Sequence, residues 1–257
     1  MSHLQGDVII LFTPHVPGAP LHEPIFVDLF IHNRLGEEIQ FDLGHNRKGN
    51  LDFAITKPDG SILRAPRLSE EGTGRIGRIV LGPDESYDQR LVLNEWYDFA
   101  EPGEYKIAGS LPNPVRTRSG AAIEIRPSGT FSLQIQPRNP ERLNQVCQAL
   151  VKTAVESSDV SEAAEAALAL SYVQDPIAVP YLEKGLEERE WVWLYAIPGL
   201  ARIANKDAIE ILFSIMKGED REAAALARFV LYELKDEIQD RRLSERIERA
   251  LGTQGDC

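Results

Sequence analysis

Ser158–Glu188 reads SDVSEAAEAALALSYVQDPIAVPYLEKGLEE, and Arg189–Asp220 reads REWVWLYAIPGLARIANKDAIEILFSIMKGED. Laid one above the other, Leu170, Val173, Val179, Leu182 and Leu186 meet Leu200, Ile203, Ile209, Leu212 and Met216, each thirty residues on. A third copy opens at REAAALARFVLYELKD (Arg221–Asp236), where Leu231 and Leu234 keep the phase with one residue added. A fixed period near thirty, each unit carrying two short amphipathic helices, predicts a short α-solenoid. A helix pair of that size cannot bury its own apolar face, so stacking of neighbours must stabilise it.

Upstream, QPRNPERLNQVCQALVKTAVESS (Gln136–Ser158) predicts an additional helix that closes the start of the solenoid. Asn139 is placed to cap it, with Pro140 at the first helical position and Glu141 near the positive end of the helix. At the other end, EIQDRRLSERIERALG (Glu237–Gly252) is highly charged and predicts a polar cap. Residues 138–257 are therefore expected to hold about three helix pairs plus capping helices.

Residues 1–137 read differently. Short stretches rich in Val, Ile and Phe, at Asp7–Phe12, Ile25–Asn33, Leu51–Thr56, Ile76–Leu81, Gln89–Leu93, Glu104–Leu111, Ala121–Arg126 and Thr130–Gln136, predict strands. Turn signals such as Pro58-Asp59-Gly60, Gly82-Pro83-Asp84 and Pro102-Gly103 separate them. The expectation is an antiparallel β-sandwich of Ig-like type. Tyr105 comes just after the Glu101-Pro102-Gly103 turn, where a tyrosine hydroxyl commonly anchors the corner of such a sandwich. Trp96 and Phe99 are expected to cover the open end of the core beside it.

The chain has 257 residues, a net charge of −12 and 43% hydrophobic residues, the composition of a soluble globular protein of one or two domains. Both halves are acidic, which argues against non-specific binding to nucleic acid or anionic lipid. No apolar run approaches the roughly 20 residues of a membrane span. The opening MSHLQGDVIILFTPH has no basic leader, and its apolar run Val8–Phe12 is short for a secretory core. A cytoplasmic chain is expected, or a periplasmic or secreted one where a leader has been removed.

Signs of chemistry are sparse. All five histidines, His3, His15, His22, His32 and His45, precede residue 46, so the helical half has none to hold a metal. There is no zinc helix, nucleophile elbow, phosphate loop or dinucleotide fingerprint. His15 and His22 with Asp28 or His32 match no common ligand spacing, and no metal or cofactor is expected. Two cysteines, Cys147 and Cys257, make no disulfide framework. Cys147 falls in a helical pattern and reads as a small core residue.

The candidate functional residues are ones that hold a partner. In WVWLYAIPGLARIA (Trp191–Ala204), Leu194, Ile197, Ala201 and Ala204 make the expected core stripe. Trp191, Tyr195, Pro198 and Arg202 make another, continued by Tyr172 in the preceding unit and Phe229 in the next one. Pro198 removes a hydrogen bond to the carbonyl of Leu194 and is expected to bend its helix. Aromatic side chains beside an arginine are the material of binding hot spots. That face is expected to pack on the sandwich, on a second copy of the chain, or on an outside polypeptide. Three loops are further candidates: Gly44–Asn50 with His45 and Arg47, the glycine-rich Pro66–Arg75, and Pro112–Gly120 with Arg116 and Arg118.

These residues carry two resemblances. EPIFVDLFIHNRLGEEIQFDLG, LDFAITKPDG and LGPDESYDQRLVLNEWYDFAEPGEYKI are similar to the intracellular proteinase inhibitor domain and its relatives, which share a strand–Asn–turn–strand, a Pro-Asp-Gly hairpin and a Pro-Gly-x-Tyr strand. That resemblance implies an Ig-like sandwich and, through a loop, proteinase inhibition. SEAAEAALALSYVQDPIAVPYLEKGL and DREAAALARFVLYELKD resemble HEAT repeats of the short lyase-like kind, which implies protein or peptide binding. The resulting expectation is a non-catalytic adaptor or scaffold for a polypeptide partner, with proteinase inhibition as the alternative.

Overall fold

Strand β3, Phe26–Asn33, shows why the first half folds as it does. Val27, Leu29, Ile31 and Asn33 are fully buried, while Phe26, Asp28, Phe30 and His32 alternate onto the other face. In the computed structural model, which describes residues 8–43, 47–64, 77–123, 130–238 and 240–252 (47 and 48 by backbone only), β3 is the centre of a three-stranded sheet. It pairs antiparallel with β1, Val8–Pro14, and with β8, Ser86–Val92.

A four-stranded sheet has the order β11-β10-β4-β7: Ala122–Ile123, Val115–Thr117, Ile39–Asp42 and Arg78–Leu81. A five-stranded sheet has the order β2-β12-β9-β5-β6: Gly18–Pro20, Thr130–Gln136, Gly103–Ser110, Asp52–Thr56 and Ile62–Arg64. Side chains from all three sheets meet in one core, giving an Ig-like β-sandwich. The pairing is antiparallel except between β2 and β12, where Gly18 to Pro20 run parallel to Gln134 to Gln136. Strand β10 forms within the stretch expected as a loop, Pro112–Gly120, and β2 lies outside the expected strands. At three residues each they are too short to show alternation, and Gly-Ala-Pro carries a turn composition.

Buried polar atoms lock the turns. Asn33 Nδ2 donates to the carbonyls of Glu37 (2.9 Å), Leu81 (3.1 Å) and Gly82 (2.9 Å), and its Oδ1 accepts from Leu35 N–H (3.0 Å). Trp96 Nε1 donates to Leu51 O (3.2 Å), and Tyr105 Oη donates to Glu101 O (2.9 Å), the corner contact expected of it. Gly103, at φ 147°, lies so close to Pro58 that a Cβ would sit 2.5 Å from its Cγ, so the Pro-Gly turn there accepts only glycine.

The chain divides into two compact units, Met1–Leu21 with Ile25–Pro137, and His22–Pro24 with Arg138–Cys257. The short α1, Arg47–Asn50, belongs to the first unit. Among the described residues, seven helices build the second: α2 Pro140–Glu156, α3 Val160–Ser171, α4 Val179–Glu188, α5 Trp193–Ile203, α6 Lys206–Met216, α7 Arg221–Leu234 and α8 Arg241–Gly252. Helix α3 packs on α5 and α5 on α7, while α2 packs on both α3 and α4, and α6 on α5 and α7. The paired apolar positions found by period close this core: Leu170, Val173, Val179 and Leu182 are buried, as are Leu200, Ile209, Leu212 and Met216.

The starts of these helices repeat as well. Asp159 and Asp220 cap α3 and α7. Asp175 caps the 3-10 turn Pro176–Ala178 that leads into α4, and thirty residues later Asn205 caps α6. Asn139 caps α2 by accepting from Arg142 N–H (3.0 Å). Gly199 lets α5 approach α3: a Cβ there would sit 2.9 Å from Ser171 Cα.

Candidate functional site

The face singled out on α5 is turned relative to the expectation. Leu194, assigned to the core stripe, is 50% exposed, while Ala196, Ile197 and Leu200 are buried and Ala201 and Ala204 are half-buried. The buried face runs through Ala196, Gly199 and Leu200, where small side chains let α5 approach α3, and Leu194 lies off it. Pro198 lies inside α5, which runs unbroken through it. The carbonyl of Leu194, which loses its helical donor to Pro198, belongs to a residue that water can reach.

The aromatic residues are engaged by arginines of the same unit. Arg202 Nη1 donates to Ser171 O (3.1 Å), and its guanidinium lies 4.0 Å from the centre of the Tyr172 ring. Arg189 Nη1 donates to the carbonyls of Ala154 (2.9 Å), Val155 (3.3 Å) and Ser157 (3.0 Å) and stacks 4.9 Å from the Trp191 ring. Tyr195 meets Trp191 edge to face at 6.1 Å. Both arginines thus satisfy carbonyls at the ends of α2 and α3 while their flat faces cover an aromatic ring. Tyr172, Trp191 and Tyr195 are half-buried by this packing, and Phe229 is the member of the predicted stripe that stands clear at 58% exposed. Tyr232, one turn further on α7, is equally exposed. Leu194 and Tyr232 escaped sequence reasoning, although the i, i+3 spacing of Phe229 and Tyr232 carries the signal.

Of the loop residues, His45 lies outside the described residues, as does the Pro66–Arg75 loop, and nothing of the Arg47 side chain is described. Arg116 Nη1 donates to Gly120 O (3.1 Å), which closes its own turn. Arg118 pairs with Glu38 at 3.1 Å. The two arginines alternate with buried Val115 and Thr117, and each is engaged by a different partner.

A polar cluster opens the helical unit. Arg142 forms a two-pronged pair with Glu23 (3.1 and 3.0 Å), and Arg138 another with Asp175 (2.5 and 2.9 Å). The Arg138 hydrogen bonds hold the nearly buried Asp175 carboxyl below its ordinary range, helped by the Ile177 N–H. Burial pushes the Cys147 thiol up to about 12, which makes it an inert core residue rather than a nucleophile.

Elsewhere, His15 Nε2 meets Asp28 Oδ1 at 2.8 Å, and His32 Nδ1 lies 3.0 Å from Ser86 Oγ with Asp84 at 4.0 Å. The second set has the residue types of a hydrolytic triad. It lies on the outer face of β3 and β8, with Asp84 94% exposed, and so lacks the enclosure that such chemistry requires. His22 groups with the helical unit, and His15 and His32 with the β unit. Among the described residues no group of three or more His, Cys, Asp or Glu is placed to hold a metal ion.

Residues 15–136 match the family model of the flagellar collar protein C N-terminal domain, a different family from the proteinase inhibitor domain that the hairpin motifs resemble. No curated protein matches the chain. Among solved structures, the putative ApaA protein from Bordetella pertussis is similar at 17% identity and a TM-score of 0.33, over 52% of this chain and 96% of that one. The CARDB domain of a Pyrococcus furiosus protein, solved with di-metal ions, is similar at 12% identity and a TM-score of 0.29, over 51% and 88%. The Pseudomonas fluorescens alkylpurine DNA glycosylase AlkC, bound to DNA, is similar at 12% identity and a TM-score of 0.27, over 51% of this chain and 31% of that one. The match to the collar-protein domain spans just under half of the chain and covers the β unit.

Proposed function

We propose that this chain is a non-catalytic structural or adaptor protein of the bacterial cell envelope, built to hold a polypeptide neighbour in or beside a flagellar collar. The match of the β unit to a collar-protein domain carries this reading. The helical unit supports it as a HEAT-like stack whose first helices, α3, α5 and α7, lie side by side. On this reading the partner face centres on Phe229, Tyr232 and Leu194, with Tyr172, Trp191, Tyr195 and Arg202 as the packed ground beneath. No helix among the described residues is long and apolar enough to cross a membrane. Nothing favours the proteinase-inhibitor alternative, whose loops lie largely outside the described residues.

Two measurements test the reading. A fluorescent fusion in the source bacterium should form foci at flagellar bases, and a diffuse signal that persists in flagellated cells overturns the envelope assignment. A photo-crosslinking residue at Phe229 should give one discrete protein adduct in cells, while the same residue at Arg118 gives none. Light-scattering mass of the pure chain, compared with that of Trp191→Ala with Tyr195→Ala, tells whether the adduct is a second copy.

A further inference from the structure

Between the end of α5 and the start of α8 the helical unit holds a cavity of about 730 Å³, within the size range of small-molecule sites. Its lining divides by chemistry. Ala204, Leu234, Ile238 and Leu243, all buried or half-buried, form an apolar side. Arg202, Lys206, Arg242 and Arg246, all exposed, form a cationic one. On a chain of net charge −12 such a concentration is local, and a cleft lined by one sign of charge draws in its counter-ions.

The charges differ in how far they are committed. Arg246 is held by both carboxylate oxygens of Glu210, and Arg202 by Ser171 and the Tyr172 ring. Lys206 and Arg242 make no side-chain hydrogen bond or close ion pair among the described residues, and Lys206 acts on Glu210 only through space, behind Arg246. Of the two acids at the cavity, Asp240 is engaged as the cap of α8, accepting from the N–H groups of Arg242 (2.9 Å) and Leu243 (3.3 Å). Lys206 is the first residue of α6 and Arg242 the second of α8, so both uncommitted cations sit at the positive ends of helices. Glu237 is the opposing carboxylate that remains.

We infer that this cavity is a binding site for an organic anion, with a phosphate or paired carboxylates between Lys206 and Arg242 and an apolar body against Ile238 and Leu243. The same chemistry is offered by a free organic phosphate and by an acidic peptide with one apolar side chain. The site does not depend on the collar reading, since none of its residues lies in the β unit and Arg202 is the one residue it shares with the ground of the Phe229 face.

Isothermal titration of the full chain with 1-naphthyl phosphate, inorganic phosphate and the blocked peptide acetyl-Glu-Phe-Glu-amide tests it. Saturable binding of the naphthyl ester or the peptide is expected, weakening as salt rises, with inorganic phosphate about tenfold weaker for want of an apolar body. The tighter of the two probes identifies the source of the anion. Lys206→Glu with Arg242→Glu should weaken binding at least about tenfold with the circular dichroism spectrum unchanged, since both side chains are exposed. Should that pair misfold, Lys206→Gln alone is expected to weaken binding and flatten its salt dependence. The inference is overturned if neither organic probe saturates below about 10 mM. It is also overturned if the charge changes leave a folded chain's affinity intact, or if inorganic phosphate binds as tightly as its ester.

Discussion

In the β unit, Asn33 reaches across 48 and 49 residues of chain to hold the carbonyls of Leu81 and Gly82, a contact with no repeat among the described residues. In the helical unit, Asp175 and Asn205 do the same job thirty residues apart, and Asp159 and Asp220 cap the helices on either side of them. The sandwich satisfies its buried polar atoms with single latches that join distant strands. The helical unit uses one short-range device again and again. A fault in a single latch should therefore cost the β unit more than a fault in one cap or one packing contact costs the helices.

The strongest way to break this comparison is Asn33→Ala. It strips donors from three carbonyls and the acceptor from Leu35 N–H at a fully buried position, and should cost about 3 kcal/mol or more. In urea, near-ultraviolet signals of the β unit should be lost at a much lower midpoint, while the 222 nm signal of the helices holds. Simultaneous loss of both would show that the latch serves the whole chain.

Gly199→Ala probes the repeated contact between first helices. Alanine gains about 1 kcal/mol of helix propensity over glycine. Against that, its Cβ must displace the backbone of Ser171 or separate α5 from α3, an overpacking cost of about 1–3 kcal/mol. The balance is a loss of about 1 kcal/mol, read at 222 nm in thermal or urea unfolding. A variant more stable than the wild type would mean the helices part easily.

Asp175→Asn gives the smallest effect and sharpens the comparison through pH. Because the folded-state value of Asp175 is depressed, its charge contributes stability that is complete above the unfolded value near 3.9 and lost as pH falls through the folded value. Asparagine keeps an oxygen for the Ile177 N–H but does not titrate. Stability of the helical unit, tracked from pH 7 downward, should fall less steeply for the variant than for the wild type below about pH 4. Parallel curves would show that the Arg138 pair adds nothing.

Much of the architecture is legible in the residues because its signals are local. The thirty-residue recurrence of Leu170, Val179 and Leu182 needs no tertiary knowledge, and neither do the Asn139 cap or the Pro-Gly turn before Tyr105. The failures are non-local. Strand β2 exists because β12 is there to pair with it, and nothing within Gly-Ala-Pro announces that. The buried face of α5 is marked by Ala196 and Gly199, small residues that fit the close approach of α3, and a pattern of large apolar residues points Leu194 inward instead. The aromatic residues of the candidate face stand out in the sequence as unusual. Their commitment to Arg189 and Arg202 does not, because the carbonyl contacts that hold those arginines in place span 31 to 35 residues.

Those arginines also impose a direction on assembly. The carbonyls that end α2 receive their donors from Arg189, 32 to 35 residues later, and the carbonyl of Ser171 at the end of α3 receives its donor from Arg202. On a ribosome each of these helices therefore emerges with an unfinished end that the next repeat completes. A chain halted at Glu188 would carry α2 with that end bare, so proteases should find the frayed turn at Ala154–Ser157 in nascent or truncated chains and pass it over in complete ones.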